Sequence, residues 1–298
     1  MKCLYHVDAD GKAAGYTVAK FTNDYNPSDY IMINYGTPTE SWLNKISKDE
    51  TVYIVDFSIE PKEMDQLLEI TKDVIWIDHH ITAINKYKDY PHEIKGLRYD
   101  GVAGCKLAWS YFFLMDNGNE PFTKEIAGLY TNNFIERIAD NDVWQFKYPD
   151  TKKYIAGFNT LGPMYPFEKE KWEELYSDSY TEYIIKKGEI IIEYTTSQNE
   201  RNRKRLAFEL ELFGAKVLCA NTQGNSTFFG DAVNDYDAVC IYCYNGGAAK
   251  NWSYTFYSAT GYDCSQLVLK LKEEYPDNCL SAGGHKGAAG AQFKRPIF

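Results

Sequence analysis

The sequence predicts an α/β fold: a parallel-sheet N-terminal domain, a connecting helix, and a smaller C-terminal α/β domain. Three observations predict it. Short apolar runs alternate with helical stretches through the first half, the order that yields parallel strands joined by crossover helices. A strongly helical stretch runs from about residue 167 to 205, and strand-like runs then return. At 298 residues the chain has length enough for two domains, each burying its own core.

In order, the first half gives CLYHV, the GYTVAKF segment, YIMINYG, TVYIVDF, MDQLLEI and VIWID. The helical stretch contains WEELY and then EYIIKKGEIIIEYTTSQNERNRKR, whose pattern predicts a connecting helix. Beyond it AFELELFGAKVLCAN, DAVCIYCY and WSYTFYSA read as strands, NSTFFGDAV and SQLVLKLKEEY as helices, and a glycine-rich tail follows. The expected division is 1–180 for the first domain, 181–212 for the connecting helix and 213–298 for the second. In open parallel sheets ligands sit beyond the carboxyl ends of the strands, so the polar residues after each strand are the ones that matter.

Composition narrows the function. A net charge of −10 repels nucleic acid at long range, so a phosphate-bearing substrate has to be drawn by bound cations or a local basic patch. Stable binding of long duplexes is not expected. The basic run RNRKR, with Arg201, Arg203, Lys204 and Arg205, reads first as a solvated helix end. Seven cysteines are an odd set, there is no basic-then-apolar leader at Met1, and no apolar stretch approaches the ~20 residues that span a bilayer. The expectation is a reduced, cytoplasmic protein without a membrane partner. Cys240 and Cys243 have metal-site spacing, but in a strand their side chains point to opposite faces, so they read as core thiols.

The chemistry gathers at strand ends. Of five histidines, His6, His79, His80 and His285 stand beside aspartates or glycines. His6, Asp8 and Asp10 leave the first apolar run together; if the strand continues they share one face, and Gly11 permits a sharp turn. Asp56 ends TVYIVD, and Asp78, His79 and His80 end VIWID. Asp140 follows in RIADNDVW, with Asp142 as a competitor. Each alone has a plain explanation, such as a helix N-cap. Together they make a crevice whose carboxylates repel unless cations sit among them. Mixed imidazole and carboxylate donors suit manganese, zinc or iron better than calcium.

In order and spacing HVDADG, Asp56, the Asp78-His79-His80 triplet, Asp140 and the late GGHKGAAG resemble the DHH phosphoesterase family with its DHH-associated C-terminal domain. The likeness runs over essentially the whole chain. DNDVWQF, with Trp172 further on, resembles a branch carrying a DxDxW motif, and Trp144 at the family's aromatic position favours Asp140 over Asp142. The resemblance implies two Mn2+ ions, with Mg2+, Co2+ or Zn2+ as substitutes. It implies His6 and Asp8 on one ion, Asp10, His79 and Asp140 on the other, and Asp56 bridging. His80 would contact the scissile phosphate or assist the leaving group, and Asp78 would orient the histidines. Gly283, Gly284 and His285 would bind substrate, small residues letting a phosphate approach backbone amides; the plain alternative is a tight turn followed by a helix. Trp252, Tyr254 and Tyr257 are candidates for base stacking.

These readings favour a two-metal phosphodiesterase acting on short oligonucleotides or dinucleotides. The enzymatic alternative is a phosphomonoesterase or a pyrophosphate or polyphosphate hydrolase, and the non-enzymatic one a nucleotide sensor. The expected partner is a short nucleic acid or nucleotide substrate, with a homodimer as the candidate assembly.

Overall fold

The computed structural model describes residues 1–116, 123, 126 and 131–298. It divides into two compact units, 1–191 and 192–298. The boundary falls inside one long helix, Asp178–Leu206, within the stretch read as the connecting helix.

The first unit is built on four parallel strands: β1 (Lys2–His6), β2 (Tyr30–Ile33), β3 (Val52–Val55) and β4 (Val74–Ile77), in spatial order β2-β1-β3-β4. Helix α1 (Ala9–Thr22) connects β1 to β2, α2 (Thr39–Leu43) lies between β2 and β3, and α3 (Pro61–Ile70) between β3 and β4. After β4 come α4 (Ile81–Lys86), α5 (Gly104–Asp116), α6 (Asn133–Asp142), α7 (Thr151–Phe158), α8 (Lys169–Glu174) and α9 (Asp178–Leu206). Strand β4 is buried at every position, as a parallel strand covered on both faces should be. Two apolar clusters supply the covering. One centres on Tyr16, Phe134, Tyr154 and Trp172; the other on Trp42, Leu67, Trp76 and their neighbours.

Strand order places the chemistry. The chain leaves β1 toward β2 and returns past it to β3, so the direction of winding reverses between β1 and β3. A crevice opens at such a switch point beyond the carboxyl ends. Tyr5 pairs in register with Val55, so His6 and Asp56, the next residue of each strand, enter that crevice side by side.

The second unit holds a six-stranded mixed sheet, β5-β6-β7-β8-β10-β9, in which only β6 and β7 run parallel. Its strands are Ala207–Leu212 (β5), Ala215–Asn221 (β6), Ala238–Asn245 (β7), Asn251–Tyr257 (β8), Cys279–His285 (β9) and Ala288–Phe293 (β10). Helix α10 (Cys264–Glu274) packs its Leu267, Val268 and Leu271 into the core of this sheet. NSTFFGDAV forms two short 3-10 turns, Ser226–Phe228 and Gly230–Asn234, rather than a helix. The glycine-rich tail is a hairpin and not a turn leading into a helix: β9 and β10 pair antiparallel from His285↔Ala288 onward. Gly284 has φ +142°, and a Cβ there would lie 2.5 Å from the Cα of Ala289, so glycine is required at that crossing. Cys240 is buried in the core, and all seven cysteines are free. Arg203 donates to the carbonyl of Phe229 and Arg201 to that of Ser197, as a helix end would. Among the described residues no helix is long and apolar enough to cross a membrane.

Candidate metal centre

All but one of the clustered side chains are delivered by a strand end or by the first turn after it; Asp142 comes from the last turn of α6. Strand β1 stops at His6 instead of continuing, so Asp8 and Asp10 reach the crevice by a different route from strand alternation. Asp8 is the N-cap of α1 and accepts from the Gly11 amide at 2.8 Å. Its second oxygen comes within 2.7 Å of His6 Nδ1. Asp10 lies in the first helical turn, buried, and accepts from the amides of Gly104 (2.6 Å) and Cys105 (2.9 Å), thereby also holding the start of α5.

Asp56 sits between the histidines. Its Oδ1 is 3.1 Å from His79 Nε2 and its Oδ2 is 3.7 Å from His6 Nδ1. The residue has φ +53°, the left-handed region that a non-glycine residue adopts at a cost. Gly104 packs against it so closely that a Cβ there would lie 2.6 Å from the Asp56 Cβ. Among the described residues, both carboxylate oxygens of Asp56, Nδ1 of His6 and Oδ2 of Asp142 are buried without a hydrogen-bond partner. The His6–Asp8 approach is short but lacks hydrogen-bond geometry.

Among the described residues three groups of donors are each close enough to hold one ion: His6, Asp8 and Asp56; Asp10, His79 and Asp142; and Asp56, Asp78, His79 and His80. Asp56 is shared between the first and third groups, and His79 between the second and third. Asp142 Oδ2 is 3.4 Å from His79 Nε2 and Asp10 Oδ2 is 3.8 Å from it.

Asp140 is not with them. Its carboxylate accepts from the amides of Lys147 (2.8 Å) and Tyr148 (3.2 Å) and from the Thr151 hydroxyl, so its lone pairs organise the turn after α6. The structure therefore brings together all the expected ligands except Asp140, and puts Asp142 in its place. A signal for this was present. Asp142 follows Ile138 by four residues and Ile135 by seven, on the helix face whose other members are buried.

Asp78 is fully buried. Its Oδ1 is 2.7 Å from His80 Nδ1 and accepts from the His79 amide at 2.8 Å, while Ser58 donates to Oδ2. Tyr35 was not singled out from sequence; its ring lies edge-on to His6, with centroids 5.8 Å apart.

The electrostatics describe a site short of positive charge. Burial, then Asp56 and Asp142, push the Asp10 carboxyl well above the usual range. Burial likewise raises Asp56 and Asp142. Burial lowers the pKa of His6, but contacts with Asp56 and Asp8 outweigh it and carry the imidazole up to about 10. Asp78 behaves oppositely: burial raises it, but the His80 and Ser58 contacts prevail and hold it below its ordinary value. Crowded, unsatisfied carboxylates beside imidazoles are a donor set that divalent cations complete, so the residues present fit such ions.

Residues 3–132 match the DHH family, N-terminal domain. Those residues of the first unit thus form a DHH-family N-terminal domain. The DHH match covers β1 to β4 and α1 to α5 and ends before Asp142. Uncharacterized protein R106 of Acanthamoeba polyphaga mimivirus is 24% identical over 265 residues, 85% of this chain and 55% of that protein; the chain thus spans about half the length of this curated relative. Among solved structures, the DHH domain of a member of a ribosomal-protein family is similar at 12% identity and TM-score 0.50, over 98% of this chain and 82% of that one. RecJ of Thermus thermophilus in complex with Mn2+ is similar at 15% identity and TM-score 0.48, over 98% and 49%. The pGpG-specific phosphodiesterase PggH of Vibrio cholerae is similar at 11% identity and TM-score 0.43, over 98% and 92%. At TM-score 0.50 the first of these shows a shared DHH fold.

In the second unit Gly283 lines a shallow cavity of about 410 Å3 with Ser253, Thr255, Ser281, Gly290 and Gln292. Gly284 and His285 lie beside it at the end of β9. The stacking candidates fare less well. Tyr254 is buried, stacked on Tyr242 at 5.1 Å, and its hydroxyl accepts from the Ile297 amide. Trp252 and Tyr257 are partly buried against core clusters.

Proposed function

We propose that this protein is a two-metal phosphodiesterase that hydrolyses short oligonucleotides or dinucleotides. The observation that carries the reading is Asp56: a buried carboxylate in a strained backbone conformation, with one unsatisfied oxygen toward each of two histidines. In this reading His6 and Asp8 hold one ion, Asp10, His79 and Asp142 the other, and Asp56 joins them. Manganese suits the mixed donors best, with magnesium, cobalt or zinc as substitutes. Two such ions supply positive charge for phosphoryl oxygens and acidify water for attack on phosphorus.

The chain's own groups do the rest. Asp78 holds a proton on Nδ1 of His80, which leaves Nε2 of that ring, on a partly exposed side chain, to address the phosphate or the leaving oxygen. Strain at Asp56 and the close approach of Gly104 keep the shared carboxylate from turning away. Gly283, Gly284 and His285, in the second unit, are the candidate substrate-binding residues there. The acidic body suits small substrates, and the reading puts the protein in the cytoplasm, with no long-duplex partner and a homodimer as its candidate assembly.

The experiment is manganese-dependent cleavage of dinucleotides, short RNA and DNA, cyclic dinucleotides, 3′-phosphonucleotides and pyrophosphate, with Asp56→Ala alongside. Mononucleotide release by the wild type alone supports the proposal. Release of inorganic phosphate alone would replace it with a phosphomonoesterase or pyrophosphatase. Binding without turnover in any metal would favour a sensor.

A further inference from the structure

The turn that follows Asp142 carries an unusual pair of aromatics. Trp144 is 78% exposed, the highest value among the exposed large apolar side chains of the described residues. The backbone that presents this exposed indole carries a conformational penalty. Trp144 has φ +53° and Phe146 φ +49°. Two bulky aromatics in the left-handed region within three residues persist only where the surroundings over-determine them.

Those surroundings are visible. The Trp144 and Phe146 rings meet edge to face, with centroids 5.5 Å apart and an interplanar angle of 84°. The Lys152 ammonium lies 4.8 Å from the centre of the Phe146 ring. The Gln145 amide donates to the Asp140 carbonyl, and the Asp140 carboxylate accepts from the Lys147 and Tyr148 amides. The indole is thus buttressed while its surface remains in solvent. Alternate residues of the same turn, Val143, Gln145 and Lys147, line a cavity of about 590 Å3, whose other walls include Tyr99, Asp100 and Tyr148.

Position makes the pair informative. Trp144 follows the candidate ligand Asp142 by two residues, so their Cα atoms are at most about 7 Å apart. A flat apolar surface held at that range from a phosphate-processing centre suits a flat apolar group bonded close to a phosphate. A nucleobase is such a group, since every base offers a π-face whatever its identity. We propose that Trp144 is the stacking platform for a base of the substrate and that Phe146 holds it in place. This rests on the nucleotide reading above and adds to it the residue that senses the base.

The test uses the full manganese-loaded chain, its Trp144→Ala and Trp144→Phe variants, and three probes. One is a dinucleotide in which both bridging ester oxygens are replaced by methylene, so that it binds without cleavage; the other two are the same molecule with the base removed on one side or on the other. Calorimetry is expected to show that Trp144→Ala weakens the intact probe by about 5- to 150-fold, while Trp144→Phe keeps most of the affinity. One of the two base-free probes should bind wild type and Trp144→Ala alike. Equal affinity of wild type and Trp144→Ala for the intact probe would overturn the inference, as would an equal loss on every probe. Wild type that binds the intact probe but cleaves no dinucleotide would remove the proposed activity and leave the stacking role intact; wild type that binds none of the probes removes both. Light scattering on the same samples covers the remaining occupant, because a dimer that Trp144→Ala dissociates would assign the indole to a second copy instead.

Discussion

Nδ1 of His80 lies 2.7 Å from Oδ1 of Asp78, a carboxylate with no solvent exposure that stays ionised because His80 and Ser58 satisfy it. This contact sets which nitrogen of His80 carries the proton. Asp78→Asn preserves the shape and can reverse the tautomer. Activity is expected to fall by about 10- to 100-fold, mainly in kcat, with the metal content unchanged. An unaltered kcat would show that His80 needs no orienting partner.

Asp140 and Asp142 are two residues apart and have separable roles. Asp142→Ala is expected to lower metal affinity and activity by at least about 10-fold with the fold preserved. Asp140→Ala removes the acceptor for two amides and a hydroxyl and should cost about 2 kcal/mol in chemical denaturation, with activity per folded molecule largely kept. The reversed pattern would return the ligand role to Asp140.

Gly104→Ala tests the packing behind Asp56. The added methyl would meet Cβ and Oδ1 of Asp56 at 2.6 and 2.7 Å, so the shared carboxylate has to move. Loss of activity with normal circular dichroism is expected, and a variant with wild-type kcat would mean the approach has slack.

The metal-free protein should lose stability as pH rises. Asp10, Asp56 and Asp142 have folded-state pKa values above the ordinary 3.8, so they contribute stability at low pH that is lost on the way up. His6, raised from 6.5 to about 10, contributes fully below 6.5 and loses that contribution as pH rises toward 10. Asp8 and Asp78 are lowered, so their contribution is present above the ordinary carboxylate range and is lost only as pH falls below it. Between about pH 5 and 9, on this reasoning, the melting temperature of chelator-treated protein should decline. Added Mn2+ should raise it most at the alkaline end, where the ligands are deprotonated. A pH-independent melting temperature would contradict the crowded-carboxylate picture.

Much of this was legible in the sequence because strand ends announce themselves. The runs TVYIVD and VIWID place Asp56 and Asp78 to His80 correctly, since an apolar stretch followed by a polar cluster has few other readings in a parallel sheet. Asp10 was named for the wrong geometric reason, because a sequence does not say where β1 gives way to α1. Motif comparison favours Asp140, although helical periodicity points to Asp142. The hairpin at Gly283 to Ala289 and the exposed Trp144 depend on backbone angles at single residues, which neighbouring residue types do not determine.

If Asp56 joins two ions in one centre, its amide variant cannot hold both. Equilibrium dialysis against Mn2+ followed by elemental analysis, on wild type and Asp56→Asn, tests it most directly. Two ions per wild-type chain and a marked loss in Asp56→Asn are expected. One ion or none in the wild type, or two ions retained by Asp56→Asn, would contradict a shared centre.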